Sequence, residues 1–268
     1  MADRKRFDVR ALPGLSFMAG SCFVLLYLPI LLVVIYSFNA GNTVSIWEGF
    51  SWRWYQAAWN NAAVQEATLR SLMVASIASV LATAAAVLAA LATTRSRGFR
   101  GRGIVLGLIN QPLMVPEIVT AVGLLIVFSM IKVATGYQGI GYVILAHASF
   151  CTPFAFMSIR ARLQGMDLSL ENAGADLYGT PVRIFRHVTL PQLWPGILSG
   201  WMLAFVISLD NVVITEFVKS AGQDTLPTYM LGQLRRKITP EINAISTVLL
   251  LISIALVITA YLAGRKRA

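Results

Sequence analysis

Met166–Pro191 reads MDLSLENAGADLYGTPVRIFRHVTLP, a polar segment set between two strongly apolar ones. It carries Asp167, Glu171, Asp176, Arg183, Arg186 and His187, while the stretches on either side are nearly free of charge. Leu168–Tyr178 predicts a short helix, since Asp167 or Ser169 is placed to cap it and Ala173, Ala175 and Leu177 favour it. Gly179-Thr180-Pro181 then breaks the chain, and 182–188 predicts a second short turn of helix before Leu190-Pro191. Two short helices between membrane spans make a surface for a soluble partner rather than a plain connector.

The surroundings fix the class. The chain is 57% hydrophobic and 13% charged, with a mean hydropathy of +0.69, so a water-soluble surface cannot be built from it. Its 268 residues make one membrane domain. The net charge of +10 does not point to nucleic acid, because the basic residues sit at the edges of apolar runs, where they set membrane orientation. Cys22 and Cys151 each fall inside a span and read as packing residues. His147 and His187 stand alone with no second ligand at metal spacing, so no metal site is expected.

Six spans follow from where charge vanishes for about 20 residues: 16–38, 68–94, 104–131, 139–159, 192–218 and 243–264. Arg4, Lys5, Arg6 and Arg10 precede the first, which is too long for a signal-peptide core and reads as an uncleaved anchor. The second is rich in Ala, Ser and Thr, which permit close helix packing in lipid. The third contains Pro112 and Pro116 just ahead of Glu117. The resulting layout is a segment 1–15, a transmembrane domain 16–264 with its core at about 66–262 and the polar loop at 166–191, and a tail 265–268. Placing both termini in the cytoplasm puts fifteen Lys and Arg inside and seven outside, as the positive-inside rule requires. Arg235, Arg236 and Lys237 go against it on the outer side.

The outer segment 39–66 holds Trp47, Phe50, Trp52, Trp54, Tyr55 and Trp59. Such density suits a membrane–water interface, and a docking surface for an external partner is the second reading. No phosphate-binding glycine loop and no Ser/His/Asp constellation is present, so catalytic residues are not expected. Any ATP driving transport must be hydrolysed on another subunit, and no cofactor is expected on this chain.

The polar loop resembles the EAA loop of ABC-importer permeases, E-A-A, three residues, G, nine residues, I, one residue, L-P. Counting back from Leu190-Pro191, Val188 takes the Ile slot and Ala173 and Gly174 take the two Ala slots. The Glu slot falls on Asn172 with Glu171 just before it, and the Gly slot falls on Tyr178 with Gly179 just after. Further stretches resemble the putrescine/spermidine importer permeases: WEGFSWRWYQ at Trp47–Gln56, RSRGFRGR at Arg95–Arg102 and PLMVPEIVTAVGLL at Pro112–Leu125. So do GWMLAFVISLDNVVITEFV at Gly200–Val218, TLPTYML at Thr225–Leu231 and TPEINAISTVLL at Thr239–Leu250. Together they fit the second permease subunit of that pair, the PotC/PotI type.

The resemblance implies an all-α membrane protein of six transmembrane helices with a MetI-like permease fold, in the bacterial inner membrane. It implies a heterodimer with a homologous permease, two ATPase subunits that bind ATP and Mg, and a periplasmic binding protein, in contact with membrane lipid. It also implies that 166–191 is a coupling helix seated on the ATPase. Glu171, Asn172, Ala173, Gly174, Asp176, Tyr178, Gly179, Leu190 and Pro191 are then the candidate coupling residues. The basic Arg95–Arg102 loop, with Arg183 and Arg186, reads as orientation by positive charge or as contact with the ATPase or anionic lipid.

A carboxylate within the bilayer costs about 2.5–3.5 kcal/mol on insertion scales, so it faces a cavity or a partner. Glu117, Asp210 and Glu216 are therefore candidates for the path of a cationic amine. The other reading is hydrogen bonding to Ser, Thr or Asn such as Asn211, or pairing with Arg70. Trp201, Phe205 and Tyr229 serve either packing or an aromatic cage. A permease for another small solute, such as iron, sulfate or an amino-acid derivative, is an alternative, although acids in the membrane argue against an anion. A secondary transporter would show internal repeats, and none is evident.

Overall fold

A computed structural model describes residues 14–44, 46–95, 98, 100–236 and 239–265. The expected segment 1–15 falls almost wholly outside the described residues, as do Lys237 and positions 266–268 of the expected tail. The described residues form twelve α-helices: α1 (Leu15–Tyr36), α2 (Arg53–Asn60), α3 (Ala62–Thr94), α4 (Arg102–Met114), α5 (Glu117–Thr135) and α6 (Gly141–Gln164). There follow α7 (Ser169–Asp176), α8 (Pro181–Ile184), α9 (Leu190–Asp210), α10 (Val213–Val218), α11 (Leu226–Arg236) and α12 (Pro240–Arg265). Among the described residues, six helical stretches are long and apolar enough to cross a membrane, those at Ser16–Tyr36, Ala62–Thr94, Glu117–Thr135, Gly141–Gln164, Pro181–Asp210 and Pro240–Thr259.

Two of the expected spans are corrected. The run 104–131 is not one helix: Val115 is extended at φ −104°, ψ 138°, and α5 starts afresh after Pro116. Proline offers no N–H to the helical ladder and pushes the preceding residue out of the α region. The run 192–218 also splits, because Asn211 takes ψ 122° and ends α9 before α10 begins. No proline signals that second break.

The chain divides into two compact units, one of Met1–Asn60 with Leu234–Leu250 and one of Asn61–Gln233 with Leu251–Ala268. In the first, the loop that follows α1 folds around Asn39, which is fully buried. Its Oδ1 accepts from the amides of Gly41 (3.1 Å) and Glu48 (2.9 Å), and its Nδ2 donates to the carbonyls of Thr43 (3.1 Å) and Ile46 (2.6 Å). Phe38 stacks on Phe50 and meets Trp52 edge-on. The Tyr55 hydroxyl is 2.7 Å from Ser37 Oγ. The aromatic segment is thus a built loop, and Phe50, Trp52 and Trp59 keep exposed rings.

The second unit is built on α3, α6 and α9. Helix α3 buries Ala75, Ala78, Ala82, Ala86 and Ala90 along one stripe at helical spacing. Small residues let backbones approach where lipid supplies no hydrophobic drive. Gly200 of α9 shows how close: a Cβ there would lie 3.0 Å from the Ala155 carbonyl of α6 and 3.2 Å from Ile159. Val143, Cys151, Phe156, Ile159, Leu163 and Leu193 complete this core.

Candidate functional site

The polar loop folds as two helical pieces, as its residues predict, with boundaries shifted. Asp167 Oδ1 accepts from the Ser169 amide (2.9 Å) and its other oxygen from the Ser169 hydroxyl (2.6 Å). These bonds hold the Asp167 carboxyl below the usual carboxylate range. Helix α7 ends in a paired cap: Gly179 N–H donates to the Gly174 carbonyl (3.0 Å) and Tyr178 N–H to that of Ala175 (2.9 Å). Tyr178 occupies the left-handed position at φ 58°. Gly179 sits so close behind that a Cβ would lie 2.6 Å from the Gly174 carbonyl.

Thr180 then caps α8, which does not stop at Leu190-Pro191. A turn of π-helix, Phe185–Thr189, carries it straight into α9. The loop is therefore joined by one continuous helical backbone to the fifth apolar helix.

The candidate coupling residues face two ways. Asn172, Ala173, Asp176 and Tyr178 are exposed, and Tyr178 with Leu177 and Val182 forms an apolar outer surface. Glu171, Gly174 and Gly179 turn inward and are half-buried, as is Leu190, while Pro191 is exposed. The Glu171 carboxylate accepts from Arg95 Nε at 3.2 Å and from Thr189 Oγ1 at 3.2 Å. Arg95, at the end of α3, thus serves the loop from within.

The intramembrane acids are brought to the two helix breaks. Glu117 opens α5 directly after Pro116, where a negative charge suits the helix dipole. It accepts a hydrogen bond from Asn211 Nδ2, so the two breaks meet at this pair. Asn211 Oδ1 also accepts from the Ile214 amide (3.0 Å) and so caps α10. Asp210, the last residue of α9, is exposed, and no partner is seen for it among the described residues. Its charge stands at the helix end where the dipole disfavours it.

Glu216 is engaged differently, since Lys219 Nζ lies 2.6 Å from it and 2.6 Å from Asp224. Arg70 pairs with Glu66 and donates to the Asp224 carbonyl, so it does not neutralise Glu117. Trp201 and Phe205 pack as a tilted pair on α9, and Tyr229 receives a bond from Asn61 at 3.4 Å. From the sequence His147 stands alone and carries no role. It is fully buried on α6 and touches Ser208 and Thr215, on either side of the second break. A histidine in an apolar span was the available signal.

A family model described as binding-protein-dependent transport system inner membrane component matches residues 82–266. The spermidine/putrescine transport system permease protein PotC of Haemophilus influenzae is 38% identical over 244 residues, covering 91% of this chain and 93% of its own. The putrescine transport system permease protein PotI of Escherichia coli strain K12 is 39% identical over 231 residues, covering 85% and 82%. Among solved structures, a bacterial ABC transporter involved in the import of the acidic polysaccharide alginate aligns with TM-score 0.72 at 14% identity, over 94% of both chains. The inward-facing MetNI methionine ABC transporter aligns with TM-score 0.60 at 16% identity, over 81% of this chain and 97% of that one. At these identities the structural likeness speaks to fold, which is that of ABC-importer permeases.

Proposed function

Because the chain belongs to the binding-protein-dependent transport system inner membrane components, we propose that it is a permease subunit of an ATP-driven polyamine importer. In this reading it forms half of a path for putrescine or spermidine, pairs with a homologous permease and receives substrate from a periplasmic binding protein. Two ATPase subunits hydrolyse ATP with Mg, and this chain contributes neither cofactor nor catalysis. Both termini face the cytoplasm.

The observation that carries the substrate class is Asp210, an exposed carboxylate at the end of an apolar helix and next to the Asn211–Glu117 pair. A cationic amine losing its hydration is stabilised by such a charge, and an anion is repelled by it. The likeness to polyamine permeases across most of the chain supports the same class.

Coupling runs through the polar loop. The exposed Asn172, Ala173, Asp176 and Tyr178 sit in a groove of the ATPase, while Glu171 and Gly179 hold the loop's shape from behind. Closure of the ATPase dimer carries the loop with it, and the continuous α8–α9 backbone rocks the core helices between inward- and outward-open states.

The test is reconstitution with the partner subunits in proteoliposomes, with ATP hydrolysis measured against binding proteins loaded with different solutes. Putrescine- or spermidine-loaded protein is expected to stimulate hydrolysis and uptake. Stimulation by a sulfate- or sugar-loaded protein and not by a polyamine-loaded one overturns the substrate class.

A further inference from the structure

His147 lies on α6 at 1% exposure, and both ring nitrogens are engaged. Nδ1 is 2.8 Å from Ser208 Oγ, near the end of α9, and Nε2 is 2.8 Å from Thr215 Oγ1, in α10. The Thr215 hydroxyl also donates to the Asn211 carbonyl at 3.2 Å. A hydroxyl has one proton, so Thr215 receives from Nε2–H while Nδ1 accepts from Ser208, the complementary set for a neutral imidazole. The ring therefore stitches across Asn211-Val212, where the helical ladder is interrupted. Asn211 extends the chain by capping α10 and donating to Glu117. One connected network thus runs Ser208–His147–Thr215–Asn211–Glu117, linking α9, α6 and α10 to the break ahead of α5. Ser208, Thr215 and Asn211 are themselves buried, and a half-satisfied buried network is worse than none. Loss of one member therefore leaves its buried neighbours unsatisfied.

We propose that His147 is a positioning residue for translocation, a pin that fixes α10 to α9 and, through Asn211, places the Glu117 carboxylate. This rests on the transport reading above. The pin makes the two helix breaks move together, so that the acidic end of α9 and the start of α5 change access as one.

The full complex, reconstituted with its partner subunits and binding protein, tests this with His147→Leu, His147→Gln, Thr215→Val and the double variant His147→Leu/Thr215→Val. Maximal putrescine uptake is expected to fall on the order of tenfold in His147→Leu at an unchanged amount of assembled complex. His147→Gln, which keeps a donor amide where Nε2 stands, recovers much of the loss. The double variant is no worse than His147→Leu, because both remove one shared interaction. Amide exchange at 213–218 speeds on the order of tenfold in His147→Leu, while exchange at 169–176 is unchanged. Exchange is read without substrate, so a wild-type complex that takes up no polyamine overturns the substrate reading alone, and exchange still judges the pin. Uptake that falls only in proportion to assembled complex, additive losses in the double variant, or unchanged exchange at 213–218 overturns the pin. If His147→Leu does not assemble, Ser208→Ala and Thr215→Val each remove one hydroxyl, and normal uptake and exchange in both overturn it.

Discussion

Arg95 Nε lies 3.2 Å from the Glu171 carboxylate, joining residues 76 positions apart, and both side chains are about four-fifths buried. The same carboxylate accepts from Thr189, where the π turn enters α9. One acid thus ties the end of α3, the polar loop and the root of α9 together. An ion pair this shielded, with a second hydrogen bond from Thr189, is not a loose surface pair.

Glu171→Gln is expected to destabilise the loop by about 1–2 kcal/mol, since a charged hydrogen bond is exchanged for a neutral one. In proteoliposomes the ratio of solute transported to ATP hydrolysed falls. Arg95→Glu combined with Glu171→Arg restores part of it if the pair acts as a strut. A double variant as poor as the sum of the singles would show that the two residues act separately.

Tyr178 carries two opposed effects. Its left-handed backbone costs about 1 kcal/mol relative to glycine, while its ring is 96% exposed on the outer face of the loop. Tyr178→Gly is expected to slow amide exchange at 177–179 and yet to lower coupled transport, because the docking ring is gone. Tyr178→Ala separates the two, keeping the backbone cost while also lacking the ring. Undiminished transport in both variants removes Tyr178 from the ATPase contact.

The polar loop was readable because its helix formers, its Gly179-Thr180-Pro181 break and the absence of charge on either side all act locally. The break before Glu117 had a local signal in Pro116, which offers no N–H and displaces Val115, yet the apolar run 104–131 masked it and reads as one span. The break at Asn211 had no such signal: nothing in Leu209-Asp210-Asn211-Val212 forbids a helix. The hydrogen bonds on either side of it come from His147 and Glu117, which are remote in sequence. The inward turn of Glu171 was hidden likewise, because its partner Arg95 lies on another helix. The alanine stripe of α3 announced close packing, but which helices it meets is a property of the assembled unit.

Gly200 tests that packing. With the Ala155 carbonyl 3.0 Å from where a Cβ would stand, any larger side chain pushes α9 off α6. Gly200→Val is expected to cost about 1–3 kcal/mol by overpacking, seen as a lower thermal midpoint of the subunit in detergent and less assembled complex. An unchanged midpoint would mean that the two helices part without penalty. Ala155 accepts the contact through its backbone, so no change of side chain there rescues the variant.

Lys219 gives a pH dependence. Burial works against its charge, but hydrogen bonds to Asp224 and Glu216 outweigh this and raise its pKa above the ordinary lysine value. A raised folded value means that the stability it contributes is fully present below the unfolded value of 10.5 and is lost as pH climbs through the folded one. Thermal midpoints of wild type and Lys219→Met are therefore expected to differ by a constant amount from pH 7 to about pH 10 and to converge above it. A gap that closes below pH 9 assigns the pH dependence to another group.

Asp210 and Glu117 are two acids at the breaks with opposite circumstances, and that contrast predicts different phenotypes. Glu117 sits at a helix start and accepts from Asn211, so its charge is met within the chain. Asp210 sits at a helix end, exposed and with no partner seen among the described residues, and in the proposed function a passing cation meets its charge. Asp210→Asn is expected to lower polyamine uptake on the order of tenfold, about 1.4 kcal/mol of lost stabilisation, with assembly and ATPase binding intact. Glu117→Gln keeps a hydrogen-bonding group towards Asn211 and is expected to lose less. Labelled putrescine uptake in the reconstituted complex decides between them. Normal uptake in Asp210→Asn removes that residue from the path, and a larger loss in Glu117→Gln transfers the role to the acid at the start of α5.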